Sequence, residues 1–373
     1  MAVKPGPRLL MTADTVGGVW NYAVELARAL EQRGVQVTLA TMGAPLTSYQ
    51  RAQVGGLPGL ALHESSHRLE WMQNAWDDVD RAGEWLLALE RDGAPDLVHL
   101  NQFAFGALPF AAPKLVVAHS CVLSWWRAVH GEAAPAAWDG YRRRVVQGLA
   151  GAGLVAAPTR AMLHSLQENY GFSGAGRVLH NGRSAEAFQP AVKQPFVFAA
   201  GRFWDAAKNL TALQAVAPLL PWPVRVAGSI THPDGGSVRP SRVHCLGELP
   251  SRALARHLGE AAIYALPARY EPFGLSVLEA ALSGCALVLG DVASLREIWG
   301  PAAVYVAPND HAALRAALWH LIENPAERVR LAEAAHARSL DFTTARMTGA
   351  YLAAYAALQP RFAATAGKEL QCA

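Results

Sequence analysis

The sequence predicts an α/β protein built as two similar halves, each a parallel sheet covered by helices. Three observations carry that expectation. Short apolar runs alternate with helical apolar periodicity from one end of the chain to the other. The alternation restarts after an aperiodic, proline-containing stretch, residues 186–195, which reads as a linker. The 373 residues are 52% hydrophobic and 17% charged, enough apolar material for two packed cores.

The elements follow in order. Residues 8–12 read as the first strand, and a Gly17-Gly18 turn follows. Ala23, Leu26, Ala27 and Leu30 then recur at i, i+3, i+4 and i+7, the stripe of an amphipathic helix. Gly34 ends it, and residues 35–41 form the next strand. Further strands of the first half are expected at 96–100, 114–118 and 154–157. The second half supplies 196–200, 224–227, 243–246, 262–266, 286–289 and 304–306. Leu314, Ala317, Leu318 and Leu321 define a late helix, and Pro325 starts another. Asp341 is the expected N-cap of a last helix running to about Leu358, with a frayed tail from about Ala363.

Composition excludes several classes. There are 33 Lys plus Arg against 30 Asp plus Glu, and a net of +3 makes no case for nucleic acid. The dense run Arg142-Arg143-Arg144 falls in a helical pattern and reads as a solvated face before it reads as a lipid-docking patch. Cys121, Cys245, Cys285 and Cys372 show no metal-ligand spacing, and three of them lie in apolar stretches as small core residues. That usage suits a reducing cytoplasm. Lys4 and Arg8 flank only Leu9-Leu10-Met11, too short for a signal-peptide core, and no apolar run reaches the ~18 residues of a membrane span.

Four segments carry candidate chemistry. In Tyr270–Ala280, which follows a strand and enters a helix, Gly274 permits close backbone approach to a ligand. The helix-opening amides suit phosphate or sugar oxygens. Glu271 in the loop and Glu279 two turns into the helix can accept hydrogen bonds from sugar diols, although a Glu pair near a helix start is equally a capped, solvated terminus. Gly201–Asn209 follows a strand at the same end of the same sheet, where open α/β sheets bind ligands. Its Arg202 and Lys208 can hold a diphosphate and stabilise it as a leaving group. Gly17 and Gly18 can bring N–H groups to a phosphate, but the third glycine of a G-x-G-x-x-G fingerprint is missing, which speaks against a nicotinamide dehydrogenase. Gly171–Gly176 follows a helix and reads as a loop. His119 sits at the carboxyl end of a strand, where a lone histidine is usually structural but the position raises a functional reading.

Taken together, His119, His180-Asn181-Gly182, Gly201-Arg202 with Lys208, and E-x-F-G-L-x-x-x-E from Glu271 to Glu279 resemble glycosyltransferase family 4, across nearly the whole chain. The resemblance implies the GT-B fold: two Rossmann-like domains facing across a cleft, with a C-terminal helix crossing back. Residues 1–185 would form the acceptor domain, with 342–373 packing back on it, and residues 186–341 the nucleotide-sugar donor domain.

It also implies a retaining transfer of a hexosyl group from a UDP-, GDP- or ADP-linked sugar to a glycan, lipid-linked or small-molecule acceptor, with no metal and no other cofactor. His119, Arg202, Lys208 and Glu271 would be the catalytic set. Gly17, Gly18, Phe273, Gly274, Leu275, Ser276 and Glu279 would hold the donor, Glu279 bridging the ribose hydroxyls, and Leu246 to Leu249 would seat the base. Trp20, Asn21, Tyr22, Asn101, Gln102, Trp125 and Trp126 are acceptor candidates that could equally plug the core. A cytoplasmic location follows, with peripheral contact at the inner membrane face left open. The family pattern is broken at Ser120, at Lys208-Asn209 in place of Lys-Gly, and at Arg183-Ser184 in place of a hydrophobic-Asp pair. Rival readings are a sugar-nucleotide epimerase on the same fold and a nucleotide-sugar-binding subunit without chemistry.

Overall fold

The computed structural model describes residues 6–366; Lys4 and Cys372 lie outside the described residues. The chain divides into two compact units. The first contains residues up to Ser124, Ala133–His180 and the chain from Thr344; the second contains Trp125–Glu132 and Asn181–Thr343.

In the first unit the chain runs β1 (Arg8–Asp14), α1 (Gly18–Glu31), β2 (Gln36–Met42), α2 (Ser48–Val54), β3 (Leu60–Glu64), α3 (Trp76–Gly93), β4 (Leu97–Leu100) and β5 (Lys114–Val117). It continues through α4 (Val122–His130), most of which belongs to the second unit, to α5 (Asp139–Gly151), β6 (Leu154–Ala157), α6 (Arg160–Tyr170) and β7 (Gly176–Val178). The seven strands are all parallel in the order β3-β2-β1-β4-β5-β6-β7. β4 and β6 are buried along their whole length, because helices cover both faces of the sheet.

The second unit follows with β8 (Gln194–Ala200), α7 (Leu210–Val216), β9 (Val224–Ala227), β10 (His244–Cys245), α8 (Ser251–Glu260) and β11 (Ala261–Leu266). Then come α9 (Leu275–Leu282), β12 (Ala286–Gly290), α10 (Ala293–Trp299), β13 (Val304–Val306), α11 (His311–Glu323) and α12 (Pro325–Ser339). Its strands are again parallel, in the order β10-β9-β8-β11-β12-β13. Along β8, Phe196, Phe198 and Ala200 join one core cluster while Val197 and Ala199 join the other, the period-2 split of a strand buried on both faces.

The chain then re-enters the first unit as α13 (Thr344–Leu358) and α14 (Ala363–Ala366). α13 packs on α1, with Thr344 Oγ1 donating to Glu25 and Tyr355 hydroxyl 2.6 Å from His99 Nδ1.

Several expectations need correction. β3 and β7 were not foreseen; both are partly exposed sheet-edge strands. β10 shrinks to two exposed residues, so Cys245 is exposed, not core, while Cys121 and Cys285 are buried. The linker ends in strand, because β8 begins at Gln194. Asp341 does not begin the last helix: Arg338 holds its carboxylate at 2.9 Å and the helix starts at Thr344. Ala363–Ala366 forms a short helix in which Thr365 is buried, not a frayed end.

Candidate functional site

In the second unit the strand order reverses between β8 and β11, and open α/β sheets bind their ligands beyond the carboxyl ends of the strands at such a switch point. Both motif segments empty into it. After β8, residues 206–208 make one 3-10 turn whose cap is Asp205, accepting from the Ala207 amide at 2.9 Å. The next residue, Asn209, sits at φ 57°, a left-handed conformation that asparagine tolerates where glycine is usual. Its side-chain amide also bridges Pro267 O at 2.8 Å and Pro308 O at 2.7 Å. That accounts for the departure from Lys-Gly: the asparagine supplies the same turn and ties the loops after β11 and β13 to it.

The turn delivers Lys208 to Glu271, Nζ to Oε2 at 2.5 Å, with both side chains mostly buried. The Glu271 carbonyl in turn accepts from Ser294 Oγ at 2.5 Å, fixing the loop. Arg202 lies 3.8 Å from Asp205 and 5.2 Å over the Trp204 ring. Asp205 also accepts from Trp125 Nε1 at 2.8 Å.

α9 leaves the same switch point. Gly274, at φ 88°, caps it in a conformation that an L side chain would strain, and the amides of Leu275 and Ser276 open the first turn without intrahelical acceptors. Ser276 Oγ is 2.8 Å from the Tyr264 hydroxyl, which also donates to Ala200 O at 3.1 Å. Burial raises the Tyr264 pKa and keeps that hydroxyl neutral. Phe273 is buried edge-on against Phe342. Glu279 is buried, and its Oε1 meets Arg183 Nη2 at 2.8 Å. Leu246 and Leu249 pack half-buried beyond β10 at the sheet edge.

The first unit has the same switch, between β1 and β4. Gly17 caps α1 at φ 108°, another conformation reserved for glycine, and Gly18 is exposed as the first helical residue. Asn101 donates to Thr12 O at 2.5 Å, so its carbonyl oxygen faces two imidazoles: His119 Nε2 at 2.7 Å and His99 Nε2 at 3.1 Å. Both rings therefore donate from Nε2. Burial pushes His119 down to about 3, helped by His99, and burial does the same to His99. His119 is thus held as a neutral ring in a fixed tautomer.

Of the acceptor candidates, Trp20 is buried and donates to Gln53 at 2.7 Å, and Tyr22 is buried against His119, His99 and Tyr351. Both pack the interior. Asn21 is half-buried and Gln102 is buried just past β4. Trp125 belongs to the second unit, edge-on to His130, with Trp126 tilted against the same ring. Arg183, Asn209, Asp205 and Tyr264 were not assigned from the sequence. Only the departures at 183 and 209 signalled two of them.

Among the described residues no cluster of three His, Cys, Asp or Glu could hold a metal ion, and no helix is long and apolar enough to cross a membrane. In the basic run, Arg144 pairs with Asp80 and covers the Trp76 ring, which leaves Arg142 and Arg143 exposed.

Comparison with known proteins decides the family. Residues 16–186 match the family model Glycosyltransferase Family 4, and residues 239–338 match Glycosyl transferases group 1, between them most of the chain. The chain belongs to glycosyltransferase family 4.

As a family 4 chain it is 44% identical to the glycogen synthase of Mycobacterium tuberculosis over 84 residues, 22% of this chain and 20% of that protein. It is 33% identical to the MMP α-(1→4)-mannosyltransferase of Mycolicibacterium hassiacum over 102 residues, 26% of this chain and 25% of that one. The match thus spans about a fifth to a quarter of these curated relatives. Among solved structures, sucrose-phosphate synthase from Thermosynechococcus elongatus superposes with a TM-score of 0.77 at 19% identity, covering 94% of this chain and 100% of that one. HepE of Anabaena, in complex with UDP-glucose, gives 0.73 at 15% identity, with 94% and 100% covered. These likenesses establish the GT-B fold for this family 4 chain.

Proposed function

We propose that this chain is a retaining glycosyltransferase that moves a hexosyl group from a nucleotide-diphosphate sugar to a hydroxyl of a glycan, lipid-linked or small-molecule acceptor. One observation carries the reading. Two cations, Arg202 and Lys208, and the buried Glu271 that pairs with Lys208 lie with the open amides of α9 on the loops beyond the carboxyl ends of β8 and β11, and the buried Glu279 stands on α9 itself. A diphosphate needs the cations and amides; the ribose and hexose hydroxyls need the carboxylates.

The chemistry follows from those groups. The bond between the anomeric carbon and the phosphate oxygen breaks, and its electron pair leaves on the diphosphate. Arg202, Lys208 and the amides of Leu275 and Ser276 stabilise that developing charge, so the proposal needs no divalent cation. Lys208 must then pass from Glu271 toward the phosphate, and Glu271 turns to the sugar hydroxyls it would orient. The acceptor oxygen attacks on the face the phosphate leaves, hands its proton to the phosphate oxygen, and retains the anomeric configuration. Neutral His119 would contact the sugar as a hydrogen-bonding ring, since its held-down pKa keeps positive charge from the reacting carbon.

HepE binds UDP-glucose and the glycogen synthase relative is named for a glucan product, so UDP- and ADP-glucose are the first donors to test. The two exposed arginines of the basic run fall short of the roughly four to eight cations of a polybasic lipid patch. A soluble saccharide is therefore the first acceptor to try. The test is proton NMR of the product formed from an α-linked donor in excess EDTA. An α-linked product supports the reading; a β-linked product, or no turnover until a metal is added, overturns it.

A further inference from the structure

We infer that Arg183 is the positioning residue for nucleoside recognition in this chain: it holds the Glu279 carboxylate ionised and oriented toward the ribose diol. The inference rests on the reading of Glu279 as the diol acceptor and deepens it.

The argument starts from burial. Glu279 is 4% exposed, on the second turn of α9. A carboxylate taken out of water without a cation nearby gives up its charge, and a protonated acid has lost most of its capacity to accept two hydroxyl hydrogens. Arg183 supplies the cation at 2.8 Å, with the side chains only 11% and 6% exposed. An ionised carboxylate has about four lone-pair sites, so a guanidinium on Oε1 does not by itself exhaust the capacity to accept from a diol.

Arg183 is itself held in place. Its guanidinium lies 5.2 Å over the buried Phe188 ring. Its amide donates to Phe342 O at 3.0 Å, and it forms a parallel bridge with Thr343. Phe342 packs edge-on against Phe273 of the motif loop. The segment leaving the first unit at His180 and the segment about to return at Thr344 are therefore joined at Arg183, beside the diol carboxylate. A hydrophobic residue at 183 could keep the backbone pairing but not the charge. A side chain held by ring, backbone and carboxylate loses little entropy on binding, which is what a positioning residue requires.

The test compares nucleotide binding by calorimetry in wild type, R183L, R183K, E279Q and the double variant R183L/E279Q. The probes are the nucleoside diphosphate that binds best and its 2′-deoxy analogue. Wild type should favour the ribonucleotide by about 10-fold or more, the scale of a hydrogen bond to a charged acceptor. R183L should reduce that preference to within a factor of about 3, and R183K should recover part of it. If R183L is too unstable to measure, R183L/E279Q removes the unpaired charge; it should fold like wild type and still lack the preference.

R183L with undiminished ribose preference, or with tighter ribonucleotide binding, overturns the inference; tighter binding would make Arg183 a plug. E279Q with unchanged affinity and preference instead overturns the reading of Glu279 on which the inference stands, so the two failures are distinguishable.

Discussion

The two units share the order of their first six strands, the first unit adding β7 at one edge, and differ in what they put at the point where that order reverses. At the β8/β11 crevice the side chains are charged: Lys208 on Glu271, Arg202 near Asp205, Arg183 on Glu279. Beyond the carboxyl ends of β1 and β4 the imidazoles are neutral: His119 and His99, both held well below their usual range, share the Asn101 carbonyl, while the Asp14 carboxylate accepts from the Val16 amide at 2.5 Å. The difference teaches that topology supplies the location and electrostatics the ligand. A crevice lined with paired charges can exchange its internal partners for a diphosphate and a diol, whereas fixed neutral dipoles suit a hydroxyl that must be oriented without being charged.

Removing the cations should break the comparison most. Arg202→Ala and Lys208→Ala should each lower turnover by about 10²-fold or more, the scale of a lost leaving-group contact. Full activity in either variant would remove the diphosphate from this crevice. Glu279→Ala should act on binding, raising the donor KM by roughly 10-fold while kcat changes less. It also strands buried Arg183, so a lower Tm is expected alongside.

Asn209 sharpens the comparison by separating turn geometry from chemistry. Asn209→Ala loses two side-chain hydrogen bonds and must adopt φ 57° without asparagine's tolerance, for a cost of about 3 kcal/mol. Asn209→Gly keeps the turn and should cost less, which denaturant unfolding of the two variants will order.

The neutral crevice has a pH signature. His99 and His119 have folded pKa values depressed to about 3, so the unfolded chain takes up their protons first. Stability should fall as pH drops from about 6.5 toward 3. Glu70 works in the opposite direction. It is buried on the amides of Phe103 and Ala104 and raised to about 7 by that burial, so its contribution is present below pH 4.5 and lost as pH rises through 7. Two histidines against one carboxyl leave a net loss below pH 6, and His99→Gln should flatten the slope. The smallest effect is expected far from either crevice. Arg144→Ala should cost no more than about 1 kcal/mol, because its partner Asp80 is exposed.

The central strands were legible because strands covered on both faces must be continuous apolar runs: β6, β11 and β12, each buried along its whole length, fall at the apolar runs that predict them. β3 and β7 were not legible, since an edge strand with an exposed side needs no such run. The second-unit motif was readable because Gly274, Glu271 and Glu279 are fixed by local backbone and spacing. Its ion-pair partners were not: Arg183 lies 96 positions from Glu279 and reaches it only through the fold. Trp20 and Tyr22 show the converse, aromatic residues beside a glycine turn that turn inward, Trp20 donating to Gln53 and Tyr22 packing against His119 and Tyr351.

The central claim is that the charged crevice of the second unit binds the donor nucleotide without help from a metal. Calorimetric titration of UDP, GDP and ADP in EDTA, on wild type and on Lys208→Ala, tests it most directly. The account predicts one preferred base for wild type and at least about 10-fold weaker binding in the variant, with the fold unchanged by circular dichroism. Equal affinity in the two proteins, or no binding of any nucleotide until a divalent cation is added, would contradict it.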